Sequence, residues 1–118
     1  MAYDNRLAAR VRSVLAEEPD VAERSMFGGL AFMVAGNMAC GVIHDDLTVR
    51  VGADGFDDAM GRPHVRVMDF THRPSKGMVY IAPAGVRDDR ELEGWVARGV
   101  RYARSLPAKG WTGGSRAR

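Results

Sequence analysis

A chain of 118 residues with a formal net charge of +2 falls within the size of one domain and buries roughly two-thirds of its unfolded surface on folding, so one core suffices without covalent staples. Cys40 is the sole cysteine, which excludes an intrachain disulfide and any metal site of the paired C-x-x-C type, and fits a reducing compartment. The amino-terminal "MAYDNRLAARVRSVLAEEPD" is charged throughout and lacks the apolar core of a secretory signal, and no window reaches the roughly 20 apolar residues of a membrane span, so a cytoplasmic protein is expected.

In chain order, Tyr3, Leu7, Val11, Val14 and Leu15 recur at 3.6-residue spacing and predict a helix from about Tyr3 to Glu18, stopped by Pro19. Next comes "SMFGGLAFMVAGNMACGV". A phosphate-binding loop sets its glycines between a strand and the mouth of a helix, whereas Gly28 and Gly29 lead into the apolar run "LAFMVA", which excludes that cradle. Gly36-Asn37 is a two-residue hairpin signal between "LAFMVA" and "MACGVIH", and Asp45-Asp46 turns the chain again into "LTVRV", giving a three-stranded meander.

With two-residue turns at both places, Ala35 falls opposite Met38, Met33 opposite Cys40 and Phe32 opposite Gly41. One face then collects Ala31, Met33, Met38, Cys40, Val42, Leu47, Val49 and Val51 and is the expected core face. The other collects Leu30, Phe32, Val34, Ala39, Gly41, Ile43, Thr48 and Arg50. It is too apolar to face only water, while Thr48 and Arg50 mark it as partly wet. It is either covered by the chain itself or a protein interface with Leu30, Phe32, Val34 and Ile43 as anchors and Arg50 at the rim.

Asp54 can cap a short helix that turns Phe56, Ala59 and Met60 inward and stops at Gly61 and Pro63. Strand-like runs follow at Val65 to Phe70 and Met78 to Pro83. Asp88 with Glu91 has the form of a capping box before a closing helix whose stripe is Leu92, Trp95, Val96, Gly99, Tyr102, Ala103 and Leu106, with Gly99 and Ala103 set for close backbone approach. The expected fold is α+β, a two-layer sandwich with an antiparallel five-stranded sheet and the order α-β-β-β-α-β-β-α. The domain spans residues 1–107, and residues 108–118 read as a flexible basic tail.

Three places compete for chemistry. Cys40 is the candidate nucleophile of a small enzyme, but its predicted neighbours Met33, Val42 and Val49 make it a packed, inert thiol. His44, His64 and His72 lack ligand spacing, and the pairs Asp45-Asp46, Asp57-Asp58 and Asp88-Asp89 read as turn and helix-start residues, so no metal, cofactor or catalytic residue is expected. "HRPSKG" sets His72, Arg73, Ser75, Lys76 and Gly77 around a turn that either cradles an anion or merely keeps a hairpin tip soluble. Arg101, Arg104, Lys109, Trp111, Arg116 and Arg118 form a basic end with one stacking aromatic, the basis of an alternative in which the protein binds nucleic acid weakly. No reader motif accompanies them.

"RSMFGGLAFMVAGNMACGV", "VRVG", "MDFTHRPSKGMVYIAP" and a closing helix ending "ARSLP" resemble the N-terminal domain of the TfoX/Sxy family, over about Leu7 to Pro107, and in particular its short stand-alone members. The resemblance implies a secretion-chaperone-like α+β fold. It also implies a role in regulating competence and transcription beside the cyclic-AMP receptor protein, although this sequence spans only the first of the two domains of the full-length regulators. No catalytic residue carries over. The expectation is a non-enzymatic interaction module that forms a homodimer or docks another regulatory protein.

Overall fold

The computed structural model describes residues 3–26, 28–68 and 77–107. Helix α1 spans Asn5–Val14 and is capped by the Asp4 carboxylate, which accepts hydrogen bonds from the backbone N–H groups of Arg6 at 2.8 Å and Leu7 at 3.2 Å. That carboxylate satisfies two of the helix's orphan donors. The helix ends short of the expected Glu18.

Strands β1 (Val21–Met26), β2 (Gly29–Val34), β3 (Asn37–Ile43) and β4 (Asp46–Arg50) follow, then α2 (Gly52–Met60), β5 (Val65–Val67), β6 (Met78–Ile81), a 3-10 turn at Pro83–Gly85 and α3 (Asp89–Ser105). The Asp88 side chain caps α3 through the N–H of Arg90 at 3.0 Å. The fold is α+β as expected, but the antiparallel sheet has six strands in the order β1-β2-β3-β4-β6-β5 rather than five. The added strand is β1, whose "VAERSM" sequence is almost wholly exposed and lacks the alternating apolar pattern by which a half-buried strand is recognised.

The turns also sit elsewhere than expected. Ala35 and Gly36, with φ of 51° and 82°, form the β2–β3 turn, so Val34 pairs with Asn37. Two consecutive positive φ values are what a tight hairpin turn requires. Between β3 and β4 the turn is His44-Asp45, and Val42 pairs with Leu47. That register differs from the expected one by two residues, an even shift that leaves every side chain on its expected face.

The β2–β3 pair behaves differently. Met33 pairs with Met38 but Phe32 pairs with Cys40, so Ala39 is an extra residue in a bulge. A bulge exchanges faces along part of a strand pair. Leu30, Phe32 and Val34 therefore share a face with Cys40, Val42, Leu47 and Val49, and all seven belong to the main core with Leu7, Val11 and Leu15 of α1 and its continuation, Ala59 of α2, and Leu92, Trp95 and Val96 of α3. All three helices cover this one face. Gly99 lets α3 approach β3 so closely that a Cβ there would collide with the carbonyl oxygen of Ala39.

The opposite face carries Ala31, Met33, Gly41, Ile43, Thr48 and Tyr80, with Ile43, Met68 and Tyr80 forming a small cluster beside half-buried Met78. Thr48, expected to be wet, is fully buried, and its hydroxyl donates to the Val79 carbonyl at 3.2 Å. A buried hydroxyl with such a partner is satisfied without water.

Candidate functional site

The expected interface residues separate. Leu30, Phe32 and Val34 are core residues under the helices, with exposures of 8%, 0% and 0%, which corrects their placement on an open face; the bulge at Ala39 is the cause. Ile43 belongs to the cluster on the opposite face. Arg50 is half-buried at the end of β4, with its guanidinium 5.3 Å from the centre of the Tyr102 ring of α3. These five side chains do not form one surface.

Cys40 is fully buried, and burial alone pushes its thiol up to about 12, because a thiolate loses its hydration among apolar neighbours. The thiol is thus protonated and out of reach near neutral pH. Among the described residues no three His, Cys, Asp or Glu side chains gather as a metal-ligand group, and no helix is long and apolar enough to cross a membrane.

In the basic turn, His72, Arg73, Ser75 and Lys76 lie outside the described residues. Gly77 is buried, and its carbonyl accepts from the N–H groups of Val51 at 2.8 Å and Gly52 at 3.1 Å. That carbonyl ties the start of α2 to β6. In the basic end, Lys109, Trp111, Arg116 and Arg118 also lie outside the described residues. Arg104 is occupied, bonded to the Glu18 carboxylate at 2.8 Å and the Pro19 carbonyl at 2.9 Å. Arg101 is exposed on the outer side of α3 and lines a groove with residues from elsewhere in the chain.

Two features escaped sequence reasoning. The first is the β1 edge. The N–H of Ala35 donates to the carbonyl of Asp20 at 2.9 Å, which makes 20 and 35 a hydrogen-bonded pair. Antiparallel strands alternate such pairs, so Ala22, Arg24 and Met26 bond to β2 while the N–H and C=O groups of Val21, Glu23 and Ser25 point away from it. No hydrogen bond to those six groups occurs among the described residues. Glu23, at the centre, is gripped by Arg12 in a two-pronged contact of 2.6 and 2.9 Å, and this hydrogen bond lowers the Glu23 carboxyl below its ordinary value.

The second is the arginine-lined groove, about 400 Å³, between α2 and α3. Arg62, Arg90, Arg98 and Arg101 line it with Asp58, Glu91, Gly94 and Trp95. Asp58 is shared by Arg98 at 3.1 Å and Arg62 at 3.7 Å. Arg98 also lies over the Trp95 ring at 5.1 Å. The signal for this site is dispersed in sequence, since Arg62 follows α2 while the other three sit on α3.

The family model of the TfoX N-terminal domain matches residues 13–103. No curated protein and no solved structure matches the chain.

Proposed function

This chain belongs to the TfoX N-terminal domain family, and from that premise we propose that it is a non-enzymatic regulatory module that acts by adding a second copy of itself along the β1 edge. The carrying observation is the row of outward backbone groups at Val21, Glu23 and Ser25. Strand addition converts such a row into a continuous ladder, with main-chain hydrogen bonds supplying the affinity.

Charge supports self-pairing. Glu23 sits at the middle of the strand and is already matched by Arg12, so two copies meeting antiparallel there bring together two ion pairs instead of two bare carboxylates, and like charges directly opposite would otherwise be destabilising. The placement of Cys40 favours binding over covalent catalysis, because a buried thiol held protonated is a poor nucleophile. A place in competence or transcription control is the role that fits the family.

Sedimentation equilibrium over a wide concentration range tests the proposal. The wild-type chain is expected to form a reversible dimer. Ser25→Pro removes one outward N–H and leaves the bonds to β2 in place, since proline is tolerated on an edge strand where the N–H faces outward. It is expected to remain monomeric with an unchanged circular dichroism spectrum. A wild-type monomer at every concentration, or a Ser25→Pro dimer of equal strength, contradicts it.

A further inference from the structure

We propose that the groove between α2 and α3 binds a small ligand carrying phosphate. The site is separate from the β1 edge and stands independently of self-association. Its lining holds four arginines against two carboxylates, Asp58 and Glu91, so the excess of two positive charges equals the formal net charge of the entire chain. Other grooves of the molecule lack this imbalance. One is lined by Glu18 and Glu93 against Arg101 and Arg104, another by Asp89 and Glu93 against Arg6 and Arg10.

The positive charge is also unsatisfied. Asp58 serves two guanidiniums at once, while the side chains of Arg90 and Arg101 have no ion pair or hydrogen bond among the described residues. Arg90, Gly94, Arg98 and Arg101 recur at helical spacing along one side of α3. Gly94 leaves the middle of that row bare, since a Cβ there would meet nothing within 4 Å. An open floor flanked by guanidiniums is a seat for a polyatomic anion.

Phosphate fits this seat better than a single carboxylate. A phosphate monoester carries about −1.5 to −2 near neutral pH, close to the excess charge, and offers three acceptor oxygens. Guanidinium forks match such oxygens two at a time. The volume of about 400 Å³ lies within the range of small-molecule sites. An extended polyanion fits less well, because Glu91 lines both this groove and the adjoining one that shares Arg62 and Trp95, and its carboxylate would repel a continuation in that direction.

Backbone amide NMR and calorimetry on the full chain at fixed ionic strength test the site, with pyrophosphate, inorganic phosphate and a nucleoside triphosphate as separate probes. Pyrophosphate is expected to shift the amides of residues 90–101 in a saturable way. The three probes separate a site for bare phosphate from one that also holds the attached group. Arg90→Ala combined with Arg101→Ala removes two unpartnered side chains and is expected to weaken binding by about tenfold or more, the scale of one lost charge-assisted contact. Asp58→Asn releases Arg62 and Arg98 from their shared carboxylate and is expected to tighten binding, a change of opposite sign that general destabilisation would not produce. No response at millimolar pyrophosphate overturns the proposal, as does equal binding by the double variant. Tight binding of duplex DNA through the same arginines with no pyrophosphate binding also overturns it, in favour of a nucleic-acid backbone contact.

Discussion

Strands β1 and β2 pair residue for residue, six positions each, and share almost nothing else. Every residue of β2 is buried, whereas Ala22, Glu23, Arg24 and Ser25 of β1 are exposed. The hydrophobic effect places β2 and holds it from both faces; β1 is held by its ladder to β2 and by Arg12 reaching Glu23. Adjacent strands can thus divide labour, one securing the fold and the other leaving a row of backbone groups for another chain. The far edge is built otherwise. Strand β5 is only three residues long, and its Arg66 is paired with Asp46 at 2.6 Å and lies over the Tyr80 ring at 4.7 Å. Short, charged edges are how sheets avoid unwanted pairing, which leaves β1 as the longer and more open of the two.

The contrast can be attacked first at β2. Phe32→Asp should unfold the chain at room temperature as read by circular dichroism. Truncating a buried phenylalanine alone costs about 3–5 kcal/mol, an unpaired buried carboxylate adds to that, and whole domains are stable by only about 5–15 kcal/mol. A folded Phe32→Asp variant would mean that β2 does not hold the core.

Opposite Phe32 stands Cys40, whose thiol should resist alkylation in the native state and react at once in denaturant. Its folded value is raised, so the unfolded chain releases the proton first as pH rises. Stability is therefore intact below the ordinary thiol value and falls as pH climbs from about 9 toward about 12. Denaturant melts across that interval check this, after correction by a Cys40→Ala control; a curve indifferent to the substitution would contradict it.

On β1 the expected effects on the fold are smaller. Ser25→Pro should change the stability of the monomer by about 1 kcal/mol or less, as for most surface substitutions, even while it abolishes dimerisation. The smallest effect belongs to Glu23→Gln. The Arg12 hydrogen bond depresses the Glu23 carboxyl, so its contribution is present at neutral pH and lost as pH falls through the lowered folded value. Both groups are substantially exposed, and solvent screens the pair. The variant should flatten the acid limb of the stability curve slightly, and a steeper limb would contradict the ion pair's sign.

The same two strands explain what was legible in the sequence. The apolar run "LAFMVA" announces β2 and lies within the longest of the stretches that carry the family resemblance. "VAERSM" announces nothing, since an exposed edge needs no apolar period. The faces of β2 are not legible because a bulge leaves no compositional mark, and one extra residue at Ala39 exchanges Phe32 and Met33 between the helix-covered face and the opposite face of the sheet. The β3–β4 faces are the expected ones because moving a two-residue turn by one position shifts the pairing register by two, an even number. The arginine groove was illegible for another reason. Arg62 and the three arginines of α3 meet only after α2 and α3 are packed beside each other.

Amide hydrogen exchange along β1, followed from dilute to concentrated protein, tests self-association through this edge most directly. In dilute solution the N–H groups of Ala22, Arg24 and Met26 should exchange slowly and those of Val21, Glu23 and Ser25 fast, an alternation set by the ladder to β2. At high concentration the fast set is predicted to become protected while the slow set changes little. Val21, Glu23 and Ser25 remaining fast at every concentration would contradict docking along β1.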